Sequence, residues 1–314
     1  MKTLWLLVAA VCITLTTSCG NHRKSADWLS SDDVHIAVDE TFRPIMEEEI
    51  QTYGLKYPTA SMMPVYCSEH EALRLLLTDS LRSCIVTRKL SKEEIDHVGL
   101  KKLRPTQSLI ATDALALIVN KENKDTLITL DEIKGIISGR ITRWEQLAHA
   151  KKKGELRLVF DNQGSSTVRY MIDSLNDGKK LSGNLFAQGS NLAVLDLVKE
   201  NEDVIGVVGA NWLKESSDSV YRVSFSGLDM NVMRVSRFNA PNERFFTPLQ
   251  YYIATGEYPL LRGVYIITTD PRVRSLEKNF FFFLKGQNGQ LIINKSSQML
   301  TTLPVQVKDV AIRD

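Results

Sequence analysis

Residues 158–175 read LVFDNQGSSTVRYMIDSL. A strand-like apolar run passes through a polar turn at Gly164 into three consecutive hydroxyls, Ser165, Ser166 and Thr167, and then into helical spacing. Hydroxyls at that point can do three kinds of chemistry. One can cap the helix by accepting from the free N–H groups of its first turn. One can act as a nucleophile if a base lies within reach. Several together can line an anion site, because a helix N-terminus offers unpaired donors and a partial positive charge. The nucleophile is disfavoured twice. A strained nucleophile elbow needs G-x-S-x-G, and the run Gln163-Gly164-Ser165-Ser166-Thr167 lacks the second glycine. The histidines are His22, His35, His70, His97 and His149, so none follows Ser166 to serve as a downstream base. A cap uses one hydroxyl, and three exceed that need.

Other polar residues stand where they could join these three. Thr41 and Phe42 follow the run 34–38 and open a helical segment. Ser68 follows 61–67 and opens another, and Thr87 ends 83–87. Each lies at the carboxyl end of a strand-like run, the edge at which open α/β sheets hold ligands. Converging on one cleft, these loops would form an oxyanion site of helix ends and hydroxyls.

The elements that must position them alternate. Strands are expected at 34–38, 61–67, 83–87, 114–120, 156–160, 204–209 and 263–269. Helices are expected at 43–55, after Ser68, after Ser91, at 129–139, from Ser165 to about Leu175, at 191–201 and at 271–286. Ser91 with Glu94 and Thr129 with Glu132 have the spacing of capping boxes, and Gly139 and Gly286 stand as helix stops. Strand–helix alternation predicts an α/β fold, with mainly parallel sheets flanked by helices. The four phenylalanines at 280–283 point in all directions on a helix, which fits deep packing between sheet and loops.

The chain has 314 residues, 43% hydrophobic and 24% charged, enough for two ordinary domains. A formal net charge of +2 implies no basic surface for nucleic acid. No metal-ligand spacing is present, and neither metal nor cofactor is expected. Residues 1–19, MKTLWLLVAAVCITLTTSC, have a Lys, an apolar stretch and small residues ending in Cys19, the pattern of an export signal. The ending LTTSC resembles a bacterial lipobox, which implies cleavage before Cys19 and lipidation of its thiol. Residues 20–33 are expected to be a polar tether. An exported protein permits a disulfide, but Cys67 and Cys84 lie in apolar strand-like runs that favour two free thiols.

The segment LALIVNKENKDTLITLDEIKGIISGRITRWEQL, 115–147, resembles a signature of the phosphate-binding proteins of bacterial ABC importers: a valine-asparagine strand end, then T-L-x-x-I and I-x-S-G-x-I-T-x-W. VTRKLSKEE, VIGVVG, YPLLRGVYI and GQLIINK resemble further segments, so the likeness spans nearly all of 34–303. It implies a two-domain type II periplasmic-binding-protein fold with the ligand cleft between domains. Domain I would comprise 34–112 and 263–314, and domain II 113–262. It implies a monomeric receptor without catalysis that binds hydrogen phosphate and delivers it to a membrane permease, held to the membrane by its lipid. Carried onto this chain, the family's ligand-binding residues fall on Thr41, Phe42, Ser68, Thr87 and Ser165 to Thr167.

The chain also departs from the family. Asp161-Asn162-Gln163 stands where phosphate binders often have Arg-x-Asp, Thr87 where an Asp is common, and Ser166 in place of Gly. Asp161 could accept the proton of the ligand, or it could be a turn residue capping its own loop. Arg88 and Arg169 could replace the missing cation or lie at the surface. These departures keep a second expectation open, that the ligand is another oxyanion or a phosphorylated small molecule. A serine hydrolase is the remote third.

Overall fold

In the computed structural model, residues 33–213, 230–238 and 243–304 are described. The expected signal, Cys19 and most of the tether lie outside them, as do 305–314.

The first half of the architecture is built on parallel pairing. Strand β1 (Val34–Asp39) pairs in parallel with β2 (Met62–Cys67) and with β3 (Ser83–Val86). Helix α1 (Arg43–Lys56) follows β1 through a short 3-10 turn, Glu40–Phe42, and α2 (Glu69–Leu77) follows β2. Helix α3 (Lys92–Leu100) begins with the capping box that Ser91 and Glu94 predict. Two long strands then cross the molecule. Strand β4 (Thr106–Asn120) and β11 (Leu261–Thr268) run antiparallel, with Arg262 directly opposite Asp113. Strand β4 was expected only over 114–120; its polar beginning, Thr106-Gln107-Ser108, hides it from an apolar-run search.

Beyond the crossing, β4 pairs antiparallel with β8 (Val204–Gly209), which pairs in parallel with β6 (Arg157–Phe160), and β6 with β7 (Leu185–Ala187). The sheet order is β2-β1-β3-β11-β4-β8-β6-β7. The antiparallel pairs are those of β11 and β4 at its centre, together with β9 (Met230–Val232) and β12 (Leu300–Thr301), which both pair with β4. A separate ladder joins β5 (Leu127–Thr129) to β10 (Arg234–Ser236), and the second capping box starts α4 (Leu130–Ile137). Helix α5 (Ser166–Tyr170) continues as a wider π turn, Met171–Leu175, and α6 (Asn191–Glu200) precedes β8. The chain returns through α7 (Gln250–Ala254) to β11, α8 (Leu276–Lys285) and α9 (Gln287–Ser296).

Separate apolar cores lie on either side of the crossing. Ile36, Val38, Phe42, Ile45, Tyr53 and Phe280 pack in one, and Leu115, Leu117, Ile136, Trp144, Leu158 and Phe160 in another. The helix expected from Pro271 starts instead at Leu276. Asp270 and Arg272 close a turn of their own through the Arg272 guanidinium, and Ser275 supplies the cap by accepting from Lys278 N–H. Phe280, Phe281 and Phe283 are buried as expected, whereas Phe282 faces outward. Both body cysteines, Cys67 and Cys84, are free thiols. Among the described residues no helix is long and apolar enough to cross a membrane.

Candidate functional site

Strands β1, β2, β3 and β6 end in turns that meet around the crossing strands. At the end of β1, Asp39 caps the 3-10 turn: its Oδ1 accepts from Thr41 N–H at 3.1 Å. Thr41 then reaches across, its hydroxyl donating to Asp161 Oδ2 at 3.3 Å. The Thr41 carbonyl accepts from Asn211 Nδ2 at 3.0 Å and from Trp212 Nε1 at 2.7 Å, both just beyond β8. Gly209 permits this approach, since a Cβ there would stand 2.9 Å from the Thr41 methyl. Phe42 is fully buried.

Ser68 caps α2, accepting from Glu71 N–H at 3.2 Å. The loop before α5 lies against it, with Gly164 O accepting from His70 N–H at 3.1 Å. A side chain on Gly164 would press on Ser68, because its Cβ would lie 3.2 Å from Ser68 Oγ.

Asp161, at the end of β6, is fully buried and faces Thr41. The Asx turn of that loop is made by its neighbour: Asn162 Oδ1 accepts from Gly164 N–H at 3.1 Å. Asp161 instead links across to Thr41, with Asn191 Nδ2 at 3.5 Å. Ser165 is the cap of α5, accepting from Val168 N–H at 3.2 Å. Ser166 and Thr167 are buried within its first turn.

A buried guanidinium completes this group. Arg262 on β11 is 5% exposed and forms a buried ion pair with Asp113 on β4, Nε at 2.9 Å and Nη2 at 2.8 Å from Asp113 Oδ2. Its Nη1 donates to Ser166 Oγ at 2.9 Å and lies 3.5 Å from Thr167 Oγ1. Its Cζ sits 5.3 Å from the centre of the Phe42 ring, within cation–π range. Phe42, Ser166 and Thr167 thus meet around one guanidinium.

Thr87 is committed elsewhere. Its N–H and hydroxyl both donate to Glu69 Oε1, at 2.6 and 2.7 Å, and its Oγ1 accepts from Arg169 Nη2 at 2.6 Å. Arg169 also binds Glu69 through Nε, so Arg169, Glu69 and Thr87 tie α5 to α2 and to the end of β3. Arg88 turns away and pairs with Glu94 through two hydrogen bonds of 2.7 Å. A second tie joins the Glu40 carboxylate to the side chain and backbone N–H of Asn191, at the start of α6. That helix end, an available anion position, is filled by the protein's own carboxylate. Beside these ties a cleft of about 390 Å³ is lined by Glu69, Leu73, Ser165, Val168, Arg169 and Ile172.

Burial dominates the electrostatics. It pushes the Asp39 carboxyl up to about 7, helped by the nearby charges of Glu69 and Asp161, while the Arg262 charge and the nearby Ser166 hydroxyl pull the other way. Asp161 is raised by burial, opposed by Ser165, loop amides and Arg262. Asp113 is raised by burial against the pull of Arg262, and Glu40 by burial against Asn191. Glu69 moves the other way: burial alone would raise it, but the Arg169 charge and the bonds from Arg169 and Thr87 hold it below the ordinary range. Asp39 Oδ2, Asp161 Oδ1, Asn191 Oδ1 and Asn211 Oδ1 are buried acceptors with no hydrogen-bond partner among the described residues. Unpaired acceptors at that depth are costly unless a ligand or proton satisfies them.

Thr41, Phe42, Asp161, Ser165, Ser166 and Thr167 therefore come together. Ser68 stands beside their loop, and Thr87 belongs to the Arg169 tie. Sequence reasoning missed Arg262, Asp113, Asp39, Glu69 and Asn191. A lone Arg in the apolar run LLRGVYI and a lone Asp before ALALIV were the available signals, because a charge inside a central strand must find a partner.

Residues 25–284 match a family model described as a PBP superfamily domain. The chain is 24% identical over 304 residues to the phosphate-binding protein PstS of Borreliella burgdorferi, covering 94% of this chain and 97% of that protein. It is 23% identical over 201 residues to PstS of Staphylococcus saprophyticus, covering 63% of this chain and only 58% of that relative's length. Among solved structures, a putative phosphate ABC transporter substrate-binding protein from Clostridium perfringens, with bound phosphate, superposes with a TM-score of 0.67 at 19% identity, covering 87% of this chain and 100% of that one. An ABC-type phosphate transport receptor from Vibrio cholerae superposes with a TM-score of 0.62 at 18% identity, covering 86% and 100%. At these identities the structural likeness speaks for a shared fold.

Proposed function

The chain belongs to the PBP superfamily, with an α/β fold of the type II periplasmic-binding kind, and from that premise we propose that it is the phosphate receptor of a bacterial ABC importer. Hydrogen phosphate would lie among the Thr41–Phe42 turn, the Ser68 loop and the Ser165–Thr167 helix start. The observation that carries this reading is the Arg262 guanidinium. It is buried, fixed by Asp113 and aimed at the Ser166 hydroxyl, where a charge-assisted bond to an oxyanion would be strong. It stands in for the Arg that the Asp161 position lacks. Asp161, with a free acceptor oxygen, would take the proton of the ligand, which sulfate does not have. The site offers binding groups and no activated nucleophile, so the reading is capture rather than catalysis.

Domain I is proposed as 34–112 with 263–314, and domain II as 113–262. Crossing strands β4 and β11 would be the hinge, and the Arg169–Glu69–Thr87 and Glu40–Asn191 ties would fasten the closed form. That form would present both domain surfaces to a permease. Cys19 is the proposed lipidation site, holding a monomer at a membrane face. Mass spectrometry of the N-terminal peptide would test it. The cleft beside Ser165 favours a second reading, in which a phosphorylated small molecule places its organic part there.

Calorimetric titration decides between them. The first reading expects saturable one-to-one binding of inorganic phosphate, with sulfate bound far more weakly. Binding of phosphate monoesters without inorganic phosphate would favour the second. Heat from neither would remove both.

A further inference from the structure

The site holds more carboxyl groups than its cations neutralise. Asp39, Asp113 and Asp161 are all fully buried, and Arg262 is already paired with Asp113 through two nitrogens. Thr41 holds the other two together, its N–H on Asp39 Oδ1 at 3.1 Å and its hydroxyl on Asp161 Oδ2 at 3.3 Å. The second oxygen of each, Asp39 Oδ2 and Asp161 Oδ1, has no hydrogen-bond partner among the described residues. The same is true of Oδ1 of Asn191, a fully buried side chain whose Nδ2 stands 3.5 Å from Asp161. These unpaired buried acceptors make the carboxyl cluster a site for a donor.

The groups facing the pair from each packed element are mostly acidic or neutral. Asp39 faces its register partner Cys67 on β2, Glu69 at the start of α2, Asp161 from β6, Ser166 from α5 and Arg262 from β11, with Glu40 next to it in its own turn. Asp161 faces Thr41, Glu40, Asn191, Ser165 and Arg262. Arg169 serves Glu69 and Arg43 stands 3.6 Å from Glu40, so Arg262, itself paired with Asp113, is the guanidinium that faces Asp39 and Asp161. Two like charges that share a buried site raise each other's affinity for a proton, and a third negative charge placed beside them raises it further.

We propose that the Asp39–Asp161 pair takes up one solvent proton when an oxyanion binds, so that the ligand meets one carboxylic acid and one carboxylate. The proposal rests on the phosphate reading and adds to it a proton taken from solvent. The balance is simple. A hydrogen phosphate dianion and one proton from the buffer enter, an O–H bond forms on a carboxylate oxygen, and no other bond changes. The new acid donates to an unprotonated ligand oxygen, and the remaining carboxylate accepts the ligand's O–H. Burial already brings Asp39 to about 7 before any anion arrives, and an anion beside it raises it further.

The test is calorimetry on the full chain in detergent, titrating inorganic phosphate at pH 8 in buffers of different ionisation heat. Uptake of about one proton per phosphate, lost in Asp39→Asn while phosphate still binds, is the expected result. Uptake that persists in Asp39→Asn and in the double variant Asp39→Asn/Asp161→Asn places the proton on the ligand and overturns the proposal. Binding with no uptake overturns it too and leaves the phosphate reading standing. Failure of phosphate to bind removes both. A second measurement needs no variant. Between pH 8 and 9, where phosphate stays a dianion, affinity should fall about tenfold, and a flat profile contradicts the proposal.

Discussion

Replacing Arg262 with Gln would remove the guanidinium from Ser166 and leave Asp113 buried without its partner. Breaking a buried pair from one side costs about 3–5 kcal/mol of stability. Removing charge-assisted bonds at about 1.5–3 kcal/mol each should weaken phosphate by about tenfold or more. The two losses separate in the double variant Arg262→Gln/Asp113→Asn. It should regain most of the melting temperature and none of the affinity, and recovered phosphate binding would remove Arg262 from the site. At Asp161, Asn substitution should relax the preference for phosphate over sulfate by about tenfold, read as the ratio of the two dissociation constants; an unchanged ratio would end its role as acceptor. Thr41, Ser165, Ser166 and Thr167 were legible in the sequence as hydroxyls after strand ends, and Asp161 as a carboxyl just before them. Arg262 was not, because a charge in an apolar strand declares that it needs a partner without saying which one. Only the register of β11 on β4 supplies Asp113.

At the scale of elements, α5 is held to α2 and β3 by Arg169, with Glu69 and Thr87 as its acceptors. Arg169→Ala would strand the buried Glu69 carboxylate and loosen closure. Stopped-flow release of phosphate should speed up several-fold or more, with association little changed, since such losses fall mainly on dissociation. Equal slowing of association would mean that Arg169 steers the ligand instead. Thr87 shows why this tie could not be read from the chain. Its position suggests a ligand contact, but its neighbours Glu69 and Arg169 are 18 and 82 residues away in sequence. Local signals fared better: both capping boxes formed, because a cap is decided within four residues. The helix expected from Pro271 began at Leu276 because Arg272 pairs with both Asp270 and Glu277.

Across the whole molecule, buried acids set the response to pH. Asp39 is lifted from 3.8 to about 7, and Glu49, fully buried, is raised well above its ordinary value. The folded state binds protons that the unfolded chain releases, so their contribution is full below the ordinary carboxylate range and is lost as pH rises through the folded values. For Asp39 that window runs from about 4 to about 7. The ligand-free protein should therefore melt higher at pH 6 than at pH 8, by about 1–2 kcal/mol from such groups; a melting temperature that rises over that interval would contradict the burial of these acids. Groups such as Glu69 and Glu94, held low by arginine partners, act oppositely and lose their contribution only at lower pH. The α/β fold followed from strand–helix alternation and the family likeness; the polar start of β4 and its antiparallel pairing did not. The most direct test of the central claim is a crystal structure of the protein grown with phosphate. One tetrahedral anion within hydrogen-bonding distance of Arg262, Ser166 and the Thr41–Phe42 turn is the predicted result. An anion bound elsewhere, or those groups still bonded only to one another at saturating phosphate, would contradict it.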